Sequence, residues 1–511
     1  MKFILGHLIS GALLGICFHF PALSFLSLIA LTPIFYLKCY IKNHKNTLSL
    51  LILANLTFAT SLNLLTLSWT LNGDFTTGIL FIITNSIVVF IPLMSCDLLA
   101  KFFEGSKLLS FCFFWISMEL LSLNWDLNFP WLILGNLLSN HIKLIQWYEF
   151  TGVIGGSIWV LSINILLIEV FLFNRKIFLS ALVICVPIIL SLSLKWQNQL
   201  VTSGESRKFL AIQPNIEPHY EKKNMPYILQ MNKVANLIKS SPDSINYLIL
   251  PETTLERTLI NHIDSTPYLP YFASITKHDS QFSIIAGINL SEINKYNEID
   301  NYNSVISFGN NHVLNMYHKN KFIPFSEKIP YANVWNKELK RQFDSFFDSC
   351  DLSTKESDVQ HKLINGDKLT SLICYEGLFG EYTANLVSKS KTQAIVITSN
   401  EGWWNQSFFN EQFLDFVKLR SVENRKWIVK CSNMGISAVI NPNGEIIDSI
   451  GYNKSACLYS TIYLNHHETI YSTHGDWIGY LALSILFILY FTYPCRFLKH
   501  YFQKGLLSIK P

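Results

Sequence analysis

Hydrophobic and polar positions alternate on two different scales along this chain. From residue 1 to about residue 200 the apolar positions come in long unbroken runs, near the ~20 residues that a helix needs to span hydrocarbon. Seven are legible: Ile4–Phe20, Leu23–Leu37, Leu48–Trp69, Thr76–Cys96, Leu108–Leu121, Val153–Leu172 and Ile177–Leu194. The fifth is short and carries Glu119. The first run follows Lys2 and by itself would pass for a signal peptide; the six runs behind it argue instead for a membrane domain. Over residues 201–471 the pattern shortens. Apolar, largely β-branched stretches predict strands at Tyr247–Leu250, Phe282–Ile288, Leu369–Cys374 and Ala394–Thr398. Phe409, Phe413, Phe416 and Val417 recur at helical spacing and predict an amphipathic helix over Phe408–Arg425. Strands alternating with helices imply a layered α/β domain. A final apolar run, Trp477–Tyr493, predicts a closing membrane helix with a basic tail over residues 472–511.

The placement of positive charge orients these runs. Lys38, Lys42 and Lys45 lie between the second and third, Lys101 and Lys107 between the fourth and fifth, and Arg175 and Lys176 between the sixth and seventh. The tail adds Arg496, Lys499, Lys504 and Lys510, whereas the alternate loops carry almost nothing but Lys143. Positive residues stay in the cytoplasm. Both termini are therefore expected inside, and the domain at 201–471 on the far side of the membrane.

Composition agrees with membrane burial: only 15% of the 511 residues are charged, against roughly a quarter in soluble proteins. A net charge of +4 with no basic stripe excludes a nucleic-acid partner. Ten scattered cysteines show neither a CxxC pair nor metal-ligand spacing. Neither a metal nor a cofactor is expected, and any reactive Cys has to be found by its neighbours.

Three stretches at strand ends carry such chemistry. Tyr-Leu-Ile-Leu-Pro-Glu ends on Glu252, a carboxylate placed to become a partly desolvated general base. In Tyr317 to Glu327, Lys319 would offer charge to an oxyanion, and Glu327 would hold that ammonium. Leu-Ile-Cys-Tyr-Glu sets Cys374 at the end of a buried strand, with Glu376 two residues on; a thiolate suits two-step acyl transfer. Taken singly, each has a plainer reading: a surface Glu after a proline turn, a solvated basic strand end, a buried structural thiol.

Together, the order Glu, Lys, Cys resembles the nitrilase superfamily, and the whole chain resembles its membrane-anchored branch, the apolipoprotein N-acyltransferases. The matching stretches are Gln213-Pro-Asn-Ile, Leu250-Pro-Glu252, Ala286-Gly-Ile, Tyr302-Asn-Ser304, Lys319 through Glu327 and Ile373-Cys-Tyr-Glu376. They continue with Ser399-Asn-Glu-Gly-Trp403, Leu419-Arg-Ser-Val-Glu423 and Ser432-Asn-Met-Gly-Ile-Ser437, and outside that domain with Phe129-Pro-Trp131 and Gly475-Asp-Trp477. The resemblance implies a multi-span helical membrane domain joined to an αββα sandwich. It implies Cys374 as nucleophile, Glu252 as base, Lys319 as oxyanion stabiliser, and Glu327, Tyr375 and Glu376 in support. The implied reaction is ping-pong. An acyl chain passes from a phospholipid, typically phosphatidylethanolamine, to Cys374, and then to the α-amine of a diacylglyceryl-cysteine that begins an apolipoprotein. Asn400, Trp403 and Trp404 stand in a loop that would contact substrate, although aromatic loop residues more often serve local packing. A monomer is the default expectation.

The chain departs from the family's usual pattern at Ser326, where Gly is common before the Glu, and lacks the Trp often found after Gln213-Pro-Asn, Tyr220 being the nearest aromatic. Cys431 reads as a structural thiol. Two rivals remain. A membrane-tethered amidase or nitrilase would use the same three residues on a small C–N substrate, but gives no reason for eight spans. A non-catalytic scaffold would be expected to have lost one of the three. A transporter is weaker still, since His7 and Glu119 form no obvious relay.

Overall fold

The computed structural model describes residues 2–40, 48–73, 75–99, 107–173, 176–198, 204–240, 244–267, 270–272, 282–309, 312–332, 334, 352–354, 360–363 and 366–489. Lys42, Lys45, Lys101, Arg175 and the basic residues of the tail, on which the orientation argument draws, lie outside the described residues. So do Cys350, Cys495 and the end of the last apolar run.

The N-terminal apolar runs fold as helices α1 (Lys2–His19), α2 (Leu48–Thr66), α3 (Phe75–Leu99), α4 (Lys107–Ser122), α5 (Tyr148–Phe173) and α6 (Ile177–Asn198). Uncharged apolar stretches leave no reason for the backbone to stay hydrated, and a helix satisfies its amide groups internally. The second run is not one regular helix. A 3-10 turn at Pro21–Leu26 leads into short helices at Ser27–Ala30 and Thr32–Tyr40, with Pro33 opening the last of these. Counting that broken segment, six stretches among the described residues are long and apolar enough to cross a membrane by length and composition; Leu108–Ser122 and Trp477–Leu489 are shorter apolar helices. The loop after α4 is held by Glu119, which accepts from the Trp115 indole N–H and the Leu134 amide, both at 2.9 Å. The sequence made Glu119 a suspect for transport; its carboxylate braces this loop.

The chain then builds two six-stranded sheets. The first, in the order β12-β1-β2-β3-β4-β5, contains β1 (Glu205–Gln213), β2 (Tyr247–Leu259), β3 (Ser283–Ile293), β4 (Ile299–Gly309), β5 (His312–His318) and β12 (Ala456–Leu464). The second, in the order β11-β10-β9-β8-β7-β6, contains β6 (Gln360–Lys362), β7 (Lys368–Ile373), β8 (Ala394–Ser399), β9 (Trp427–Ser432), β10 (Ser437–Ile440) and β11 (Ile446–Ile450). Each sheet has a parallel centre, β1-β2-β3 and β7-β8-β9. Alternation sorts the strand residues. Tyr247 and Ile249 face Val396 and Val429 in the core between the sheets, whereas Leu248 and Leu250 face outward onto Met231 and Val234. Those two belong to α8 (Tyr227–Lys239), which follows the short helix α7 (Glu221–Asn224). On the far side, α9 (Gly380–Ser390) and α10 (Phe408–Asn424) cover the second sheet. The result is an αββα sandwich.

The helix read as amphipathic is buried along most of its length, with Glu411 left exposed. α10 packs between the second sheet and the membrane helices, and four of its charged residues pair with one another: Arg420 with Glu423 at 2.7 Å, Lys418 with Asp415 at 2.5 Å. Its membrane-side neighbours are aromatic. Trp131 stacks on Phe409, ring centroids 5.3 Å apart, and donates to Gln412 at 2.9 Å. Arg425 ends the helix in a left-handed conformation (φ 51°) and reaches across to Glu149, Gln146 and Asn443. A buried guanidinium so fully bonded fixes the sandwich against the loop before α5.

Candidate active site

Glu252 stands where β2 loses its regular register with β3, between Leu250 and Leu255. The two strands approach closely there because residue 287 has no side chain. A Cβ on Gly287 would lie 2.5 Å from the Pro251 carbonyl oxygen and 2.6 Å from the Glu252 Cα. Gly287→Ala is therefore expected to destabilise the fold by about 1–3 kcal/mol through overpacking against backbone, and to displace Glu252. Thermal unfolding of the two proteins side by side checks the first effect. An unchanged midpoint would show that β3 moves away without cost.

One oxygen of Glu252 accepts from the Asn303 amide at 2.7 Å and from the Lys319 ammonium at 3.5 Å. Register explains the first contact. Ser304 pairs with His318 in the β4–β5 ladder, so Asn303 sits beside Lys319, and its carbonyl accepts the Lys319 backbone N–H at 2.8 Å. Asn303 thus ties base and ammonium together. The sequence quoted it inside a motif without a role, because nothing local reveals a contact across 51 residues. Lys319 itself is 1% exposed and bonds more tightly to Glu327, at 2.6 Å. Burial opposes its charge, but Glu327, Glu252 and Cys374 outweigh that and hold its pKa above the ordinary lysine range.

Glu327 is fixed by its own loop: its second oxygen accepts from the Ile323 amide at 3.0 Å. The residue in left-handed conformation there is Phe325 (φ 61°), and Ser326 is not among the positive-φ residues. This turn therefore makes no demand for glycine at 326, and the departure from the usual family pattern costs nothing in backbone strain.

Cys374 lies just past β7, which ends at Ile373, rather than within the strand as the hydrophobic pattern suggests. It adopts φ 49° and opens a 3-10 turn, Cys374–Leu378. Left-handed backbone at a Cys is strained, and Glu376 overrides the strain. Its buried carboxylate accepts from the Ile373 amide (2.8 Å), the Asn320 amide (2.7 Å) and the Tyr317 hydroxyl (2.7 Å). One side chain thereby locks the Cys374 turn to the loop that follows Lys319. Burial raises the Glu376 pKa while those hydrogen bonds pull it down. Tyr375 donates to the Asn128 carbonyl at 3.0 Å, which links the same turn to the Phe129-Pro-Trp131 loop. Burial, then the Glu252 charge, pushes the Cys374 thiol well above its usual pKa, and Lys319 pulls the other way.

Cys374 opens onto an apolar cavity lined by Trp69, Phe81, Phe129, Trp131, Ile323, Tyr375, Leu378, Trp404, Phe409 and Phe413. Its walls come from both the sandwich and the membrane helices. Of the loop residues read as substrate contacts, only Trp404 lines it. Trp403 is 42% exposed, edge-on to His219, and Asn400 is buried with its carbonyl oxygen accepting from Asn433 at 3.2 Å. Trp69 and Phe81 had no signal in the sequence beyond membership of apolar runs. Among the described residues no cluster of His, Cys, Asp and Glu could hold a metal ion.

Comparison with known proteins follows the same division. Residues 10–166 match the family model for the apolipoprotein N-acyltransferase N-terminal domain, and residues 211–470 that for carbon-nitrogen hydrolase. An apolipoprotein N-acyltransferase of Chlorobaculum tepidum is 23% identical, covering 94% of this chain and 95% of the relative. The protein of that name from Wigglesworthia glossinidia brevipalpis is 25% identical over 84% of this chain and 83% of its own. The one from Pseudomonas syringae pv. tomato is 26% identical over 74% and 73%.

Proposed function

The chain belongs to the carbon-nitrogen hydrolase family, in its apolipoprotein N-acyltransferase branch, and from that premise we propose how its residues carry out N-acylation of a lipoprotein. Glu252, Lys319 and Cys374 form the catalytic triad. The observation that carries this reading is the setting of Cys374, with a carboxylate and a buried ammonium on one side and an aromatic cavity shared with membrane helices on the other.

The resting thiol holds its proton, so a base has to take it. Glu252 removes it, and the sulfur attacks the ester carbonyl of a phospholipid. Lys319 spends two donors on Glu327 and Glu252 among the described residues; an ammonium has three, and the third faces the oxyanion. The proton on Glu252 passes to the departing lysophospholipid oxygen, leaving a thioester on Cys374. In the second half the α-amine of the acceptor attacks, Glu252 takes its proton, and the thiol returns. Glu376 and Tyr375 position the nucleophile, and Glu327 positions Lys319. The acyl chain lies along Trp404, Trp131 and Phe409, whose apolar walls keep water from the thioester. Trp403 and Asn400 shape the rim of the same loop.

Residues 1–200 anchor the enzyme in the bacterial inner membrane, residues 201–471 stand on the periplasmic side, and residues 472–511 return to the cytoplasm. Phosphatidylethanolamine is the donor, and the enzyme works as a monomer. A small polar amide has no use for so aromatic a cavity, which disfavours hydrolysis of a soluble C–N substrate.

The test uses the full chain in vesicles with acyl-labelled phosphatidylethanolamine. A hydroxylamine-sensitive protein adduct is expected, with one lysophospholipid per adduct, and a diacylated lipopeptide should chase the label into an amide. Release of ammonia from small amides without lysophospholipid would overturn the proposal.

A further inference from the structure

Glu252 also lines a separate and more polar cavity, to which Cys374 does not contribute. Its lining includes Glu252, Thr253, Gln230, Asn433 and Lys222, and Lys222 is a cation that no motif in the sequence singles out. We propose that Lys222 is a positioning residue for the general base: its ammonium holds the turn that follows Glu252 and sets a positive charge in the cavity that Glu252 lines. This rests on Glu252 acting as the base of acyl transfer.

Geometry carries the inference. The Lys222 ammonium donates to the Thr253 carbonyl at 2.7 Å and to the Thr253 hydroxyl at 2.6 Å. Thr253 has φ 51°, a conformation that strains a β-branched residue and persists only where surroundings enforce it. Lys222 is itself held: its amide donates to the Glu217 carbonyl at 2.8 Å, and its carbonyl accepts from Gln230 at 3.0 Å. The neighbouring acids are otherwise engaged. Glu221 pairs with Lys233 at 2.8 Å, and Glu217 accepts from the amides of His219, Tyr220 and Glu221. The Lys222 charge therefore acts chiefly on Glu252. Burial brings the Lys222 pKa down to about 8, and attraction to Glu252 is what opposes the fall.

The other titratable groups around Glu252 come from separate elements. Lys319 at the end of β5 contacts it directly. Cys374 after β7 feels its charge, and Glu327 and Glu401 act on that same thiol. Lys319 is needed at the oxyanion, so a second cation near the base lets one ammonium serve the substrate while the other serves Glu252.

The experiment measures the rate of Cys374 acylation against pH for wild type, Lys222→Met, Lys222→Arg and Thr253→Ala in vesicles. Loss of the cation makes the base harder to ionise, so the acidic limb of Lys222→Met is expected to move up by about one pH unit, the scale of a nearby opposite charge. Lys222→Arg should bring it back towards wild type. Thr253→Ala, which removes one brace and keeps the charge, should leave the limb in place even if the rate falls. A Lys222→Met protein that is slower but has an unmoved limb would reduce Lys222 to a structural brace and overturn the proposal, as would an equal shift in Thr253→Ala. Absence of any Cys374-dependent adduct in wild type would instead sink the acyl-transfer reading on which it rests.

Discussion

Replacing Cys374 by alanine is expected to lower N-acylation on the order of 10⁶-fold, the scale seen when a covalent nucleophile is removed, and to erase the labelled adduct. The folded state should survive. Cys374 is small, and the left-handed turn it opens is fixed from Glu376 rather than from sulfur. Thermal unfolding of Cys374→Ala beside wild type separates lost chemistry from lost structure. Cys431 is a second thiol in the same core between the sheets, but it is not placed to take over. It is fully buried between the sheets, its sulfur donates to the Ile212 and Ile249 carbonyls at 3.2 and 3.4 Å, and burial pushes its pKa up to about 12. An adduct that persists in Cys374→Ala would transfer the nucleophile to another residue and dismantle the mechanism.

Lys319→Met is expected to lose about 10²–10³-fold in the rate of acylation, the usual cost of one oxyanion donor, and also to destabilise the protein by roughly 3–5 kcal/mol. The second effect arises because Lys319 is buried between two acids. Without it, Glu252 and Glu327 face each other as like charges, and the direct hydrogen bonds named above that remain to them come from the Asn303 amide and the Ile323 N–H. The sign of the linkage is set by the raised pKa of Lys319. Its contribution is complete below the ordinary lysine value of about 10.4 and fades only as pH climbs through the higher folded value, so wild-type stability should show no loss from this group across the neutral range. Urea unfolding of wild type and Lys319→Met near neutrality measures the difference. A variant as stable as wild type would mean that the two carboxylates do not both carry charge in the folded protein. Lys319→Arg should not rescue activity, because a planar guanidinium does not fit a pocket built around a compact ammonium.

How much of this was legible beforehand differs from residue to residue. Cys374, Lys319 and Glu252 are candidates in the sequence because they stand in that order in three short stretches at strand ends. Glu376 and Glu327 were named as supporting acids, but what they support is a tertiary fact: the Glu376 carboxylate joins residues 317, 320 and 373. Asn303 and Lys222 escaped notice because their partners are far along the chain and their own neighbourhoods are unremarkable polar sequence. Trp403 and Trp404 looked alike as adjacent aromatics. A 3-10 turn sends one into the cavity and leaves the other at the surface.

Local pattern was enough for whatever depends on spacing along the chain. Long apolar runs call for helices satisfied from within, and short β-branched ones for a layered sandwich. Tertiary structure alone decided how those pieces meet: that β3 admits Glu252 at Gly287, that α10 is buried along most of its length, and that Trp69 and Phe81 of the membrane half help wall the space beside Cys374. The physical reason is that burial and charge pairing act between surfaces brought together by folding. Their strength depends on distances that a linear order of residues does not contain.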